Sequence, residues 1–361
     1  MTSLDPIKPA TYVAPSRNWG RRRIPWADFI LEWVARASAC IIIAMLAALI
    51  VVLAVSAAPA VKRFGIKFLV TSNWRPNELE VPKHGPGGKV IVEDGEVVME
   101  TIPASFGALP VIYGTAVSSG LALVFAVPLS LGAALFLVRI APKWMIAPVS
   151  FLIEFLAAIP SIAYGLWGLF VLAPFLQGHV EPGIQTLLHR VPGLHWMFFD
   201  SHGRPIALTG RDMLCGGLIL GIMVLPIITS IARDVLRAVP RAQIEGSLAL
   251  GATWWQSARE MLRYSRSGLF GAVMLGLARA AGETMAVTMV IGNNNQIECS
   301  PLAPAQTMSS LLANEFAEAV SLLHRSALIE VALILLLMSL VFNVVARTLV
   351  VGSGSRTAAA H

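Results

Sequence analysis

Residues 268–292 read GLFGAVMLGLARAAGETMAVTMVIG, an apolar run interrupted by only two charges, Arg279 and Glu283. A helix needs about 20 predominantly apolar residues to cross the hydrocarbon core of a bilayer. A charged side chain at mid-membrane costs about 2.5–3.5 kcal/mol on the insertion scale, and such residues usually face a bundle interior or a wet cavity. The stretch therefore predicts a transmembrane helix whose charged face is directed into a protein assembly.

The composition of the whole chain indicates a membrane protein and excludes a soluble one. Of the 361 residues, 56% are hydrophobic and 13% are charged, whereas soluble domains average about 25% charged residues. A soluble protein of this composition would expose large apolar patches, which drive association. The formal charge of +6 is therefore interpreted as basic residues in cytoplasmic loops, and no nucleic-acid binding is expected.

Other apolar runs bring the predicted number of transmembrane helices to six. The predicted spans lie near residues 38–57, 115–138, 145–173, 213–232, 268–292 and 327–346. Glu154 and Glu330 lie nearer to span ends, where an acidic side chain can reach water. Lysine and arginine are concentrated in the loops and tails that six spans place on the side of the N-terminus. Both termini are therefore predicted to be cytoplasmic.

The predicted organisation follows from these spans. It consists of a flexible basic tail (1–36), a first transmembrane helix (37–57), an extracytoplasmic loop (58–110), the main transmembrane domain (111–347) and a cytoplasmic tail (348–361). In the extracytoplasmic loop, Val90–Val92 and Val97–Met99 flank an Asp-Gly dipeptide, Asp94-Gly95. Apolar stretches around such a dipeptide predict a small β-hairpin.

The sequence offers no group of residues for catalysis or metal binding. The three cysteines are too few for a disulfide framework, although a Cys215–Cys299 bridge at the outer face remains a minor alternative. The histidines at 179, 189, 195 and 202 are irregularly spaced and match no metal-ligand pattern. No serine, histidine and aspartate lie at a shared depth. We therefore predict neither an enzyme nor a resident cofactor.

The two intramembrane charges, Arg279 and Glu283, are four residues apart, so a helix places them one above the other on one face. Two interpretations stay open on the residues alone. The pair is either a structural ion pair that fastens the helix to its neighbours, or part of an anion path, because a guanidinium offers several fixed donors to an oxyanion. In an anion path, Glu283 would hold Arg279 in place and weaken its grip on the anion.

A second feature lies between the fourth and fifth spans, where residues 240–262 read PRAQIEGSLALGATWWQSAREML. Gly251 is predicted to end one short helix, and Thr253 is predicted to cap the next. This helix–glycine–helix element has too few apolar residues to enter the membrane. It lies either on the bilayer surface, with Trp254 and Trp255 at headgroup depth, or against a soluble partner.

Several of these stretches resemble one family. The loop element resembles the EAA loop of bacterial ABC importer permeases, with Glu245-Gly246-Ser247 in place of Glu-Ala-Ala and Gly251-Ala252 as the following Gly-Ala pair. The run Gly276–Asn293 closely resembles the signature of permease subunits of phosphate-specific importers. Phe106–Thr115 and Ala157–Gly165 are similar to the same subunits.

The resemblance implies an all-α polytopic membrane protein with the type I ABC importer (MetI-like) permease fold and a small extracytoplasmic loop insertion. Such a permease subunit has no nucleotide site and no cofactor of its own. The implied partners are a sister permease subunit, a dimer of cytoplasmic ATPase subunits that bind ATP-Mg, a periplasmic phosphate-binding protein and the lipid bilayer.

The resemblance also implies roles for particular residues. The substrate path would include Arg279, Glu283 and Thr284, whereas ATPase coupling would involve Glu245, Gly246, Gly251 and Ala252 in the loop 233–266. The expected function is ATP-driven import of inorganic phosphate across the bacterial inner membrane. The alternatives are a permease for molybdate, tungstate, sulfate or thiosulfate, or a secondary anion transporter, which would usually show internal repeats.

Overall fold

The computed structural model describes residues 25–82, 92–93, 96–97, 99–188, 198–199 and 203–358, and this part of the chain is mostly helical. The helices are α1 (Pro25–Phe64), α2 (Lys67–Val70), α3 (Leu109–Leu135), α4 (Lys143–Ala158), α5 (Ser161–Trp167), α6 (Ala173–Phe175), α7 (Glu181–Leu188), α8 (Met213–Arg237), α9 (Arg241–Ala249), α10 (Trp254–Tyr264), α11 (Arg266–Ala281), α12 (Met285–Val290), α13 (Met308–Glu315) and α14 (Leu322–Ala358). Three π-helical segments, Phe136–Ile140, Gly168–Leu172 and Leu176–Val180, continue α3 and join α5 to α7.

Two short antiparallel strand pairs lie between α2 and α3. Strand β1 (Leu79–Pro82) pairs with β4 (Met99–Ile102), with Leu79 opposite Ile102. Strand β2 (Val92–Glu93) pairs with β3 (Glu96–Val97), with Val92 opposite Val97. The second pair confirms the predicted β-hairpin, although its turn residues 94–95 lie outside the described residues, as do the histidines at 189, 195 and 202.

Residues 1–51 and 52–361 form two units. The described part of the first unit is the N-terminal stretch of α1, in which large apolar side chains from Trp26 to Leu49 are exposed. A helix that is apolar all round suits a lipid environment. The helix starts at Pro25 and ends at Phe64, beyond both ends of the predicted 37–57 span, so the predicted tail is helical from Pro25 onward. Similarly, α14 continues to Ala358, into the predicted C-terminal tail.

Five helical stretches in the described part of the chain are long and apolar enough to cross a membrane. They are Asp28–Phe64, Leu109–Ile140, Ser161–Leu187, Met213–Arg237 and Leu322–Val345. The remaining predicted span, residues 268–292, is divided between α11 and α12. The prediction of one continuous helix there was wrong, because the backbone leaves the helix after Ala281 and resumes it at Met285.

The prediction of a single helix over the third span, residues 145–173, was also wrong. α4 ends at Ala158, Ile159 and Pro160 are extended, and α5 begins at Ser161. Proline lacks an N–H donor and disfavours helical backbone in the residue before it, which accounts for the extended Ile159. The Tyr164 hydroxyl donates a hydrogen bond to the Leu156 carbonyl at 2.8 Å, so the two helices remain linked across the break.

In the second unit, α3 and α8 pack side by side and form the centre of the helical bundle. Two glycines of α8 allow this close approach. A Cβ at Gly217 would lie 2.7 Å from Leu121 Cβ, and one at Gly221 would lie 3.2 Å from the Ala122 carbonyl oxygen. α11 packs against α3, α8 and α14, so the interrupted span lies against the centre of this bundle.

Three smaller sequence expectations are settled by side-chain positions. The Glu154 carboxylate lies 3.8 Å from the Arg233 guanidinium of α8. Glu330 is only 7% exposed and its Oε2 has no hydrogen-bond partner, so the expectation that it reaches water near a span end was wrong.

Cys215 is buried, Cys299 is exposed and both are free thiols, so the Cys215–Cys299 bridge is not present.

Two buried acids lie at the end of α8 opposite α9. Asp212 and Glu181 are both fully buried, and Asp212 Oδ1 caps α8 by accepting a hydrogen bond from the Cys215 N–H at 2.7 Å. The pKa of Asp212 is raised from 3.8 to about 7, mainly by burial and in smaller part by the neighbouring Glu181, against the opposing effect of the backbone hydrogen bonds. The Asp212 carboxyl therefore holds a proton at mildly acidic pH.

We expect the thermal stability of the purified protein to depend on this proton. The folded pKa lies above the unfolded value, so the stabilising contribution is complete below about pH 4 and is lost as the pH rises to about 7. Asp212→Asn keeps the capping oxygen and removes the titration. Melting curves from about pH 5 to about pH 8 should therefore be flatter for Asp212→Asn than for the unmodified protein.

The control for this measurement is Asp234→Asn, because Asp234 is an exposed acid at the other end of α8. It should leave the pH dependence of the melting temperature unchanged. An Asp212→Asn protein with the same pH dependence as the unmodified protein would contradict the assignment of the proton to Asp212.

Candidate functional site

The candidate site is the break between α11 and α12, formed by Gly282, Glu283 and Thr284. The Gly282 N–H still donates to the Ala278 carbonyl at 3.3 Å, which closes the last turn of α11. On the other side, the Thr288 hydroxyl donates to the Thr284 carbonyl at 2.7 Å. Backbone groups at helix ends need such partners, and inside a membrane they find them only in the protein or in a wet cavity.

The predicted charge pair spans this break. Arg279 lies in the last turn of α11, and its Nη2 is 3.7 Å from Glu283 Oε2. The two side chains differ sharply in exposure, with 55% for Arg279 and 7% for Glu283. A separation of 3.7 Å is an ion pair and too long for a hydrogen bond. The carboxylate is therefore held inside the chain, whereas the guanidinium lies at its surface with its donors not taken up by Glu283.

Thr284, the third predicted path residue, is half-buried at the start of α12. Its hydroxyl lies 3.4 Å from the Gly282 carbonyl oxygen, across the break from Arg279. The structure thus brings all three predicted path residues to one place. It does so on either side of an interruption, however, and not along the face of one continuous helix.

The first turn of α13 contacts the break through hydroxyl groups. The Ser309 hydroxyl donates to the Glu283 carbonyl at 2.6 Å. Thr307 caps α13: its hydroxyl accepts from the Ser310 N–H at 3.1 Å, and the Ser310 hydroxyl accepts from the Thr307 N–H at 2.9 Å. The sequence analysis missed these residues, although a threonine followed by serines before an apolar stretch is a recognisable helix start.

Two neighbouring helices pack closely against this region, and each does so at a glycine. A Cβ at Gly114 of α3 would lie 2.2 Å from the Gln306 carbonyl oxygen, just before α13. A Cβ at Gly165 of α5 would lie 2.7 Å from Met289 Sδ and 3.0 Å from Ala286 Cα of α12. Neither position can hold a larger residue unless the backbone moves.

The three stretches that carry the family resemblance therefore meet at the break. Residues 106–115 contact α13 through Gly114 and Thr115, residues 157–165 contact α12 through Gly165, and residues 276–293 form the break itself. Separations of more than a hundred residues hide this proximity in the sequence.

The predicted coupling element is the pair α9 and α10. α9 ends at Ala249, and Gly251 adopts a φ of +82°, a left-handed conformation that glycine adopts without steric cost. Thr253 caps α10 in a capping box: its hydroxyl accepts from the Gln256 N–H, and the Gln256 side chain accepts from the Thr253 N–H at 2.7 Å. The predicted helix end at Gly251 and the predicted cap at Thr253 are both confirmed.

The two short helices differ in how they contact the rest of the chain. α10 buries Ser257, Ala258 and Met261. Ala258 and Met261 belong to a hydrophobic cluster with the ends of α3 and α8. α9 buries no side chain, and Glu245 and Gly246 are exposed on it. Leu250, at the tip between the helices, is 91% exposed. α10 therefore serves as the base of the element and α9 as its free surface.

The fold combines several apolar helices with a broken, charged helix and a projecting pair of short helices, and binding sites formed by broken helices are typical of membrane transporters. Residues 126–351 match the family described as "Binding-protein-dependent transport system inner membrane component". The chain belongs to this family, and the predicted type I ABC importer permease fold is confirmed.

Its curated relatives carry the name "Phosphate transport system permease protein PstC". The protein from Mesorhizobium japonicum is 39% identical over 99% of this chain and 100% of the relative. The protein from Haemophilus influenzae is 38% identical over 90% of this chain and 93% of the relative. PstC 1 from Mycobacterium tuberculosis is 37% identical over 82% of this chain and 85% of the relative. The predicted resemblance to phosphate importer permeases is thereby confirmed.

The packing at Gly114 leads to a stability prediction. Gly114→Ala places a Cβ against the Gln306 carbonyl, and overpacking of this kind costs about 1–3 kcal/mol. Gly120→Ala, in the same helix, meets nothing within 4 Å and should be neutral or stabilising, by up to about 1 kcal/mol. Thermal unfolding in detergent should separate the two variants, and equal melting temperatures would contradict the close contact.

Proposed function

We propose that this chain is a permease subunit of an ATP-driven ABC importer and that it passes inorganic phosphate across the bacterial inner membrane. The observation that carries the proposal is the exposed guanidinium of Arg279 at a helix break inside the membrane domain, 3.7 Å from the buried Glu283. The choice of phosphate as the substrate rests on the similarity of the chain to phosphate transport permeases.

The exposure of the pair favours an anion path over a purely structural ion pair. A structural pair would stabilise the bundle best if both groups were buried and joined by hydrogen bonds. Here only Glu283 is buried, and the Arg279 side chain is 55% exposed, so its guanidinium remains accessible. Guanidinium donors in a fixed fork match the oxygens of a tetrahedral oxyanion.

Glu283 has a separate role in this proposal. A carboxylate near the guanidinium partly neutralises it and weakens the attraction between Arg279 and a bound anion. Because the carboxylate is buried and fixed, it also limits the positions that Arg279 can adopt. A transporter has to release what it binds, so a moderated cation serves import better than an isolated one.

The exposed side of the break requires a second protein surface to enclose the anion path. Leu275 is 45% exposed, Arg279 55% and Met285 55%, so an apolar stripe with one cation in it faces outward. Lipid opposite a charge at this depth would be costly. We infer that a sister permease subunit covers this side, so that the anion path runs between two chains.

The remaining partners follow from the same assembly. An ATPase dimer that binds ATP-Mg docks on the free surface of α9 around Glu245, Gly246, Gly251 and Ala252, and this chain supplies neither a nucleotide site nor a cofactor. This places α9 and both termini in the cytoplasm. A periplasmic phosphate-binding protein delivers substrate at the opposite end of the bundle. We propose docking for the α9–α10 element instead of membrane binding, because α9 has no buried side chain and only few apolar residues.

Arg279→Gln should reduce phosphate uptake at least tenfold. The substitution keeps a side chain of similar length and removes the charge that attracts the anion. Labelled-phosphate uptake into proteoliposomes containing all subunits measures the effect, and co-purification of the subunits reports assembly. Arg36→Gln is the matched control, because Arg36 is exposed on α1 and pairs only with Glu32 at 2.6 Å among the described residues.

Near-normal uptake by Arg279→Gln would refute the role of Arg279. Competition with molybdate, sulfate and thiosulfate in the same vesicles tests the choice of phosphate. Uptake that persists without any ATPase subunit would contradict the ABC importer and favour a secondary transporter.

Charge reversal on the coupling surface should separate ATP hydrolysis from uptake. Glu245→Lys changes an exposed side chain of α9, so the fold should be preserved while the contact with the ATPase is weakened. We expect uptake to fall several-fold and substrate-stimulated ATP hydrolysis to fall with it. Asp28→Lys reverses an exposed charge in the first turn of α1 and should leave both activities unchanged. Equal behaviour of the two variants would argue against docking at α9.

A further inference from the structure

We propose that Ser309 is a positioning residue for the anion path, because its hydroxyl fixes the backbone of Glu283 and thereby the distance between Glu283 and Arg279. The inference rests on the proposed function of the break as part of an anion path. Ser309 lies on a different helix, 26 positions further along the chain, and touches the break only through its hydroxyl donor.

The backbone at the break leaves one carbonyl group that needs a donor from elsewhere in the fold. α12 begins only at Met285, and its first turn is closed by the hydrogen bond from the Thr288 N–H to the Thr284 carbonyl. The Glu283 carbonyl therefore has no partner in α12. Such a carbonyl, left without a hydrogen bond inside a membrane domain, would be strongly destabilising, because hydrocarbon offers it no donor. The Ser309 hydroxyl at 2.6 Å supplies the missing donor.

The direction of the hydrogen bonds around Ser309 is determined by counting donors. A serine hydroxyl has a single proton, and here the proton is donated to the Glu283 carbonyl. The Thr307 hydroxyl lies 3.1 Å from Ser309 Oγ and must therefore be the donor in that contact. Thr307 Oγ1 in turn accepts from the Ser310 N–H. The first turn of α13 is thus a directed chain of hydrogen bonds that ends on the break.

α13 is in turn fixed to the centre of the bundle. The Met308 N–H donates to Thr115 Oγ1 of α3 at 2.9 Å, and the Thr115 hydroxyl donates to the Val111 carbonyl at 2.7 Å. Thr115 is 1% exposed and Ser309 is 3% exposed, so water does not compete for these bonds. The Met308 hydrogen bond to α3, the peptide bond between Met308 and Ser309, and the Ser309 hydrogen bond together link α3 to the Glu283 carbonyl.

This link matters for the charge pair because the pair does not fix itself. At 3.7 Å, Arg279 and Glu283 attract each other without a hydrogen bond that would set their geometry. The buried carboxylate is placed by its backbone, and that backbone is held by Ser309. Loss of the hydroxyl should loosen the break and let the carboxylate move relative to the guanidinium.

The experiment compares Ser309→Ala with Ser309→Thr, which retains a hydroxyl. In proteoliposomes with the complete importer, we expect Ser309→Ala to lower the ratio of Vmax to KM for phosphate about three- to tenfold, and Ser309→Thr to restore most of it. Ser326→Ala is the matched control: Ser326 is equally buried at 3% exposed, but its hydroxyl bonds only the Leu323 carbonyl of its own helix.

A double-mutant cycle tests whether Ser309 acts through Glu283. If it does, Ser309→Ala should cause little further loss in a Glu283→Gln background, because the carboxylate that it positions is already neutral. Fully additive losses would assign Ser309 a general role in packing and overturn the proposal. A Ser309→Ala importer that transports like Ser326→Ala would overturn it as well.

A second measurement does not depend on phosphate. With the exposed Cys40 and Cys299 replaced by serine, a cysteine introduced by Thr284→Cys reports the accessibility of the break to a water-soluble thiol reagent. Ser309→Ala should raise its labelling rate about fivefold. If Ser309→Ala speeds labelling but the unmodified importer takes up no phosphate, phosphate is refuted as the substrate and the positioning role stands. An unchanged labelling rate would refute the positioning role.

Discussion

The structure depends on how it satisfies the backbone polar groups exposed by a helix that stops inside the membrane. Hydrocarbon supplies no hydrogen bonds, so each N–H and C=O released at such a break must find a partner in the protein or in a wet cavity. At the break of the fifth span, the Ser309 hydroxyl supplies a donor to the Glu283 carbonyl, and the Thr284 carbonyl accepts from both the N–H and the hydroxyl of Thr288. The interruption then becomes a stable feature that can present a charge pair.

Partners for the break can reach it only if the neighbouring helices approach closely. Gly114 and Gly165 remove the side chains that would otherwise hold α3 and α5 away from the α13 entry and from α12. Two of the stretches that carry the family resemblance therefore pack against the elements that follow the break, and the third contains the break itself. A permease that kept Arg279 but lost these contacts would not hold the guanidinium in a defined position.

The sequence predicted the membrane class, the charge pair, the helix–glycine–helix element and the hairpin, because each rests on local composition or on turn chemistry. It did not predict the two helix breaks. Pro160 ends a helix, yet Pro128 and Pro226 lie inside continuous helices, so proline alone does not decide. The outcome depends on whether distant groups such as the Ser309 hydroxyl are available. Burial of Asp212 and Glu181 was likewise invisible, since nothing local distinguishes them from solvated loop acids.

The unequal exposure of the charge pair has a consequence for assembly. With Glu283 buried and Arg279 exposed, the proposed anion path would have one side in this chain, which holds the carboxylate, and its other side in the partner that faces the guanidinium. A path built at the contact between two chains can open and close when they move relative to each other, without any rearrangement inside either one. Such a movement would leave the hydrogen bonds from α3 to the break intact, so the charge pair could travel with its own bundle as a rigid unit while its surroundings change.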